Sequence, residues 1–290
     1  MNELAEWDIV TGVGITALGV AAGRAMETHR EDGLVSDPYA EAFVEAAAPP
    51  APMPTRLDAA DDLEIPWGAM ANYMGVRSKY FDDYFAAASK AGVDQVVLLA
   101  AGLDVRAYRL DWPAGTTVYE LDAPKVLSFK DGVLAANDAH PRADRRVVAV
   151  DLREDWAVPL QEKGFDPSRP SAWLAEGLLP FLPNAAKERL FRFVTDLSAP
   201  GSRIEVEHVD DVRSMLREDQ FRQMSERFGI DMATLWPDED DFGPAAWLTD
   251  HGWEVEVVRS AEVAERWGRT LENPDQDPMR SSVFITAVRL

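Results

Sequence analysis

Acidic residues stand at the ends of four apolar, β-branched runs in this chain, where a parallel sheet would bring them to one edge. These acids are Asp122, Asp151, Glu176 and Glu207. Carboxylates accept hydrogen bonds from hydroxyl and amine groups and attract cations. Because ligands of an open α/β sheet bind above the carboxyl ends of its strands, the pattern predicts a site for a cationic ligand rich in hydroxyls and amines.

The segment 95–122 has the order of elements of a nucleotide-binding βαβ unit. An apolar strand is followed by a small-residue turn, a helical segment and a second strand that ends on Asp122. An acid at this place can hold both ribose hydroxyls, and small turn residues such as Ala101 and Gly102 allow an adenosyl group to approach the backbone. The turn is not a GxGxxG motif, so the segment alone is a weak signal.

Two nucleotide cofactors compete for such a site. S-adenosyl-L-methionine carries a sulfonium, an ammonium, a ribose diol and an adenine amine, all of which suit a rim of carboxylates. The pyrophosphate of NAD instead prefers glycine amides and a helix N-terminus without acids beside it. The acids therefore predict S-adenosyl-L-methionine as the cofactor and S-adenosyl-L-homocysteine as its product. A nicotinamide oxidoreductase is the weaker alternative.

Each candidate residue also has an ordinary structural explanation. Asp122 and Asp151 can cap the turns that follow them, and Asp104 can pair locally with Arg106. Glu176 lies in an apolar run, so its carboxylate needs a partner if it is buried, and that partner can be purely structural. The sequence leaves both explanations open for each residue.

Strand and helix patterns alternate from residue 95 onward. This alternation predicts an α/β fold with a seven-stranded, open, mostly parallel sheet and helices on both faces. The strands are expected at 95–100, 117–122, 145–150, 171–176, 202–208, 253–259 and 283–289. The last two strands are expected to pair as a hairpin-like edge.

The pattern also predicts how the chain is divided. Residues 1–90 are expected to form an N-terminal helical cap or lid packed on a core of residues 91–290. Residues 209–248, an acidic and partly helical stretch, are expected to form a cap insertion between the fifth and sixth strands.

Composition excludes several classes of function. With 51 acidic and 29 basic residues among 290, the formal net charge is −22, which repels nucleic acid and an anionic membrane surface. There is no cysteine, and the four histidines lack metal-ligand spacing, so no metal site is expected. Signal-peptide features and long apolar runs are missing. We expect a cytoplasmic monomer or homodimer that acts on a small molecule.

Seven motifs occur in a specific order along nearly the whole chain. They occupy residues 16–25, 37–40, 77–82, 100–110, 119–126, 150–153 and 176–182. Together they resemble the actinobacterial S-adenosylmethionine-dependent methyltransferases related to leucine carboxyl methyltransferase. The resemblance implies a class I methyltransferase, Rossmann-like fold. Ala100 stands where that family commonly has the first glycine of the turn, and residues 209–250 match least well.

The resemblance also implies roles for individual residues. Ala101, Gly102 and Asp104 would form the turn beneath the cofactor, Asp122 would hold the ribose, Asp151 and Leu152 would contact the adenine, Arg77 would meet the methionine carboxylate, and Glu176 would lie beside the methionine ammonium.

These observations predict methyl transfer to an oxygen of a small, hydrophobic acceptor of polyketide or lipid type. A carboxylate acceptor needs no general base. A hydroxyl needs one, and His208 is the candidate because histidine as a residue type titrates near neutrality. The residues expected to line the acceptor pocket are Tyr73, Tyr80, Tyr84 and Trp247, although packing of the cap on the sheet explains these aromatics equally well. The alternative is a non-catalytic, adenosyl-binding or regulatory protein of the same fold.

Overall fold

A seven-stranded sheet in the order β3-β2-β1-β4-β5-β7-β6 runs through the protein. The computed structural model describes residues 9–60, 65–209, 226–229, 232–237, 239, 242–271 and 282–290. The strands are β1 (Gln95–Leu99), β2 (Thr117–Asp122), β3 (Asp144–Ala149), β4 (Ser171–Ala175), β5 (Arg203–Val209), β6 (Trp253–Arg259) and β7 (Ser282–Arg289).

Nine α-helices of the described residues connect and cover these strands. They are α1 (Val13–Thr28), α2 (Ala40–Ala47), α3 (Trp67–Lys90), α4 (Arg106–Arg109), α5 (Pro124–Ala136), α6 (Ala157–Glu162), α7 (Asn184–Asp196), α8 (Pro244–Asp250) and α9 (Ser260–Arg266). A short 3-10 turn, Leu179–Phe181, follows β4 closely.

The predicted sheet is confirmed, and each predicted strand agrees with the observed one to within a residue at either end. Strands β1 to β5 run parallel, so their carboxyl ends meet at one edge of the sheet. The central strands β1 and β4 are buried throughout, as expected for parallel strands covered on both faces. The last two strands pair antiparallel as predicted. In addition, β7 lies between β5 and β6 and is antiparallel to both.

Helices α1 and α3 pack against each other and share one hydrophobic cluster with β1. Their close approach depends on small residues: a Cβ at Gly23 of α1 would lie 2.6 Å from Cγ of Met74 in α3. Arg24 then ties α1 to the rest of the protein, donating to Asp37 at 2.8 Å and to the carbonyl of Leu103 at 2.7 Å. These contacts hold α1 over the turn that follows β1. Whether residues 1–90 act as a separate lid stays a prediction.

Most of the predicted insertion, 209–248, lies outside the described residues. Its last part contains α8, which packs against β6. None of the helices described here is long and apolar enough to cross a membrane.

Candidate functional site

Two adjoining cavities open at the carboxyl edge of the parallel strands. The first cavity, of about 140 Å³, lies between α1 and the ends of β1 and β4. The second cavity, of about 410 Å³, lies between the ends of β2 and β3 and the turn after β4. The two share Val13, Ala100, Asp122, Gly177 and Phe181. All eight residues predicted to bind the cofactor line one cavity or the other: Arg77, Ala101, Gly102, Asp104, Asp122, Asp151, Leu152 and Glu176.

The turn after β1 brings Asp122 against the backbone at the junction of the two cavities. Its carboxylate accepts hydrogen bonds from the amides of Gly102 and Ala123, both at 2.6 Å. Burial raises the pKa of Asp122, and these two amides oppose the increase. Gly102 has a φ of +45°, a conformation that glycine adopts without strain. Ala100 also has a positive φ, +54°, so alanine replaces glycine here at the cost of backbone strain.

Arg77 is the predicted residue with the most elaborate surroundings. Its Nη1 donates to both oxygens of Glu207, at 3.1 and 3.0 Å, and its Nη2 lies 2.9 Å from Oε1 of Glu176. Burial alone would lower the pKa of Arg77, but the charges of Glu207 and Glu176 outweigh it and raise that pKa. The buried Nε has no hydrogen-bond partner in the described part of the chain. A guanidinium that borders a cavity fits a ligand carboxylate.

Glu176 connects Arg77 to a second arginine. Its Oε2 accepts from Nη1 of Arg106 at 2.8 Å; Arg106 also bonds to Asp104, and its Nε donates to Asp82 at 2.8 Å. Burial would raise the pKa of Glu176, but Arg106 and Arg77 together lower it, so the carboxylate is ionised at neutral pH. We call Arg77, Arg106, Asp82, Asp104, Glu176 and Glu207 the buried ion network. The local Asp104–Arg106 pair and the structural partner for Glu176, both foreseen as alternatives, are therefore present while these acids also line the first cavity.

Asp151 in the second cavity pairs with one arginine, and its side chain is more exposed to solvent than that of Glu176. Its Oδ1 accepts from the backbone amide and from Nε of Arg153, both at 2.9 Å, and its Oδ2 accepts from Nη2 at 2.6 Å. The hydrogen bonds from Arg153 lower the pKa of Asp151. The amide contact is the local turn cap foreseen as an alternative. Around the pair, the wall is apolar, with Leu152, Leu178 and Leu182.

The four aromatics predicted for an acceptor pocket lie elsewhere in the described structure, and none lines either cavity. The hydroxyl of Tyr73 donates to Glu207 at 2.5 Å, and that of Tyr84 donates to the carbonyl of Trp173 at 3.0 Å. The ring of Tyr80 stacks on Phe284. These three tyrosines pack α3 against the sheet, which is the alternative explanation. Trp247, on α8, stacks on His251, with 3.6 Å between the ring centroids.

His208, the predicted general base, lies on β5 and is 8% exposed. Because side chains alternate along a strand, His208 and Glu207 point to opposite faces of the sheet. Neither cavity is lined by His208. On β5, Glu207 contacts Arg77. The sequence pattern places Glu207 at a strand end but indicates no partner for it, because Arg77 and Tyr73 lie far away in the chain.

Comparison with known proteins supports a methyltransferase assignment. Residues 17–195 match the leucine carboxyl methyltransferase family. A protein of Saccharopolyspora erythraea named "Putative S-adenosyl-L-methionine-dependent methyltransferase" is 46% identical over all of both chains. A protein of Rhodococcus jostii with the same description is 48% identical over 98% of both.

Solved structures agree with the fold. A structure described as a "putative methyltransferase" of Thermobifida fusca aligns with a TM-score of 0.53 and 16% identity, over 93% of this chain and 94% of that one. A DUF574 family protein of Streptomyces avermitilis aligns with a TM-score of 0.55 and 14% identity, over 93% and 97%.

Proposed function

Because the chain belongs to the leucine carboxyl methyltransferase family, we infer that it is an S-adenosyl-L-methionine-dependent methyltransferase, and we propose that it methylates an oxygen of a small, hydrophobic acceptor. The relatives' descriptions support the cofactor and the enzyme class.

The observation that carries the proposal is the match between the two cavities and the parts of the cofactor. Arg77, a cation that lines the first cavity, suits the methionine carboxylate, and Glu176, an ionised acid beside it, suits the ammonium. Asp122 at the junction of the cavities suits the ribose hydroxyls. The apolar second cavity, with Asp151 on its wall, suits the adenine and its amine.

When bound, S-adenosyl-L-methionine supplies an electrophilic methyl group. The residues of this chain contribute orientation: Arg77 and Glu176 fix one end of the ligand, and Asp122 and Asp151 fix the other. Helix α1 forms one wall of the first cavity, since Gly14, Thr16 and Ala17 are part of its lining. Positioning of this kind can supply a large part of a rate enhancement without a covalent intermediate.

A carboxylate is the acceptor oxygen that we favour. It is already nucleophilic and needs no general base, whereas a hydroxyl does. His208, the candidate base, borders neither cavity, which supports the carboxylate. The net charge of −22 disfavours a highly anionic acceptor, so a hydrophobic acid with a single charge is the best match.

Calorimetric titration tests the cofactor. We expect micromolar binding of S-adenosyl-L-methionine and S-adenosyl-L-homocysteine and none of NAD, and we expect Asp122→Ala to abolish the binding of both adenosyl compounds while the protein stays folded. Tight binding of NAD alone would contradict the proposal.

Methyl transfer from cofactor with a labelled methyl group tests the acceptor. A panel of hydrophobic carboxylic acids is compared with the matching alcohols. Methyl esters release labelled methanol in mild base and methyl ethers do not, so the label distinguishes the products. Label that is stable to base, obtained only with the alcohols, would rule out the carboxylate acceptor.

A further inference from the structure

Glu207 is a buried carboxylate at the carboxyl end of β5, and it lines neither cavity. Only 2% of its surface is exposed. A carboxylate taken out of water at such a position is costly unless charges and hydrogen bonds compensate for it. The groups that donate hydrogen bonds to Glu207 therefore indicate its role.

Both oxygens of Glu207 are fully engaged. Oε1 accepts from the hydroxyl of Tyr73 at 2.5 Å and from Nη1 of Arg77 at 3.1 Å. Oε2 accepts from the same Nη1 at 3.0 Å and from the backbone amide of Gly177 at 2.7 Å. One carboxylate thus joins α3, through Tyr73 and Arg77, to the turn that follows Glu176.

These contacts matter because they hold Arg77 and Glu176, the two charged side chains at one end of the first cavity. Arg77 borders that cavity, and Gly177 follows Glu176 directly. Gly177 has a φ of +61°, a conformation that favours glycine, so the turn itself depends on a special backbone geometry. The hydrogen bond from its amide to Glu207 stabilises that geometry.

We propose that Glu207 is the positioning residue for the amino-acid end of the cofactor: it orients the guanidinium of Arg77 toward the ligand carboxylate and fixes the turn that carries Glu176 toward the ligand ammonium. Tyr73 supports it by donating to the same carboxylate. This inference rests on the proposed function, because it names the part of S-adenosyl-L-methionine that Arg77 and Glu176 recognise.

Glu207→Gln is the decisive variant. A glutamine amide has one acceptor oxygen and one NH2 group. The donors on one side of residue 207, either Tyr73 or the Gly177 amide, therefore lose their acceptor and face another donor. Tyr73→Phe is a milder variant that removes only the hydroxyl. Glu205→Gln is the matched control, since Glu205 is buried two residues earlier on the same face of β5 and its oxygens contact neither Arg77 nor Gly177.

Two ligands report on the two ends of the site. S-adenosyl-L-homocysteine has the amino-acid end, and 5′-methylthioadenosine lacks it. By calorimetry near neutral pH, Glu207→Gln should weaken the binding of S-adenosyl-L-homocysteine by about tenfold or more, as when a charge-assisted hydrogen bond is lost, and leave that of 5′-methylthioadenosine unchanged. Tyr73→Phe should give a smaller change of the same pattern, and Glu205→Gln none.

Two outcomes overturn the inference while the proposed function stands. Equal weakening of both ligands would mean that Glu207 supports the fold in general. Unchanged binding of S-adenosyl-L-homocysteine in both Glu207→Gln and Tyr73→Phe would mean that Arg77 needs no positioning. If the wild-type protein binds neither adenosyl compound, the proposed function itself fails, and the inference fails with it.

Discussion

The two cavities each contain a carboxylate paired with an arginine, but the surroundings of the pairs differ. In the first cavity, the side chains of Arg77 and Glu176 are 4% and 14% exposed and belong to the buried ion network. In the second cavity, the side chains of Asp151 and Arg153 are 30% and 36% exposed and form a pair next to an apolar wall.

Burial decides what such a pair does. Removing one partner of a buried ion pair leaves an uncompensated charge and is strongly destabilising, whereas an exposed pair contributes little because water competes for both groups. We therefore expect that loss of a single charge from the buried ion network destabilises the fold. We expect the exposed Asp151–Arg153 pair of the second cavity to tolerate substitution with little effect on stability.

The same substitution at both arginines gives the largest expected difference. Arg77→Met leaves Glu207 and Glu176 without a shared cation, so we expect a loss of about 3 to 5 kcal/mol in the free energy of unfolding together with loss of cofactor binding. Arg153→Met should cost less than about 1 kcal/mol. Chemical denaturation of both variants measures this, and equal losses would show that burial does not distinguish the two cavities.

Glu205 lies two residues before Glu207 on the same face of β5, and it is a buried carboxyl with no arginine partner in the described part of the chain. It is fully buried, accepts from the Thr286 hydroxyl at 2.6 Å, and forms no ion pair within the described ranges; burial raises its pKa from the ordinary 4.5 to about 8. The folded state thus keeps a proton that the unfolded chain loses, so stability falls as the pH rises from the ordinary pKa toward the raised one.

Unfolding of the wild type and Glu205→Gln across pH tests this. Between about pH 5 and about pH 7.5, the free energy of unfolding of the wild type should fall by on the order of 3 kcal/mol relative to that of the variant. The expected slope is about 1.4 kcal/mol per pH unit. Tyr80, Tyr84 and Glu256 lie near Glu205 and stay the same in both proteins. Parallel pH profiles would show that Glu205 is ionised in the folded protein.

Asp151→Ala should affect binding and not stability. We expect about a tenfold loss of affinity for S-adenosyl-L-homocysteine, since one hydrogen bond from the adenine amine to a charged acceptor disappears. S-inosyl-L-homocysteine lacks that amine, so the variant should bind it as the wild type does. A loss of affinity for both ligands, or for neither, would argue against contact between Asp151 and the adenine.

Ala100→Gly gives the smallest expected effect, at a residue that lines both cavities. Alanine at φ +54° carries the strain of the left-handed region, which glycine relieves at some cost in chain entropy. We expect a gain of about 0.5 kcal/mol in stability, measured by thermal unfolding, and no change in cofactor affinity. A loss of stability would show that entropy outweighs the strain.

The sequence predicted the parts of this protein that depend on short-range pattern. Strand alternation located all seven strands, and parallel topology then brought Asp122, Asp151 and Glu176 to one edge of the sheet. Their convergence follows from the fold, because the ends of parallel strands are neighbours whatever connects them.

Contacts between segments that are far apart in the chain could not be predicted from such patterns. The Tyr73–Glu207 hydrogen bond spans 134 residues, and no local pattern relates these positions. Aromatic spacing on α3 equally fits a pocket and a packed face, and the structure assigns Tyr73 and Tyr84 to packing. The positive φ of Ala100 depends on the surrounding turn, since the residue type itself disfavours it.

The place of β7 in the sheet has a consequence for how the protein is made. β5 pairs with β4 on one side and with β7 on the other, and Glu207 lies opposite Phe284. During synthesis, β5 therefore keeps an open edge until the chain through β7 has left the ribosome, and such long-range pairing is slow to form. Because β7 flanks the strand that carries Glu207, we expect the cofactor site to be completed late in folding.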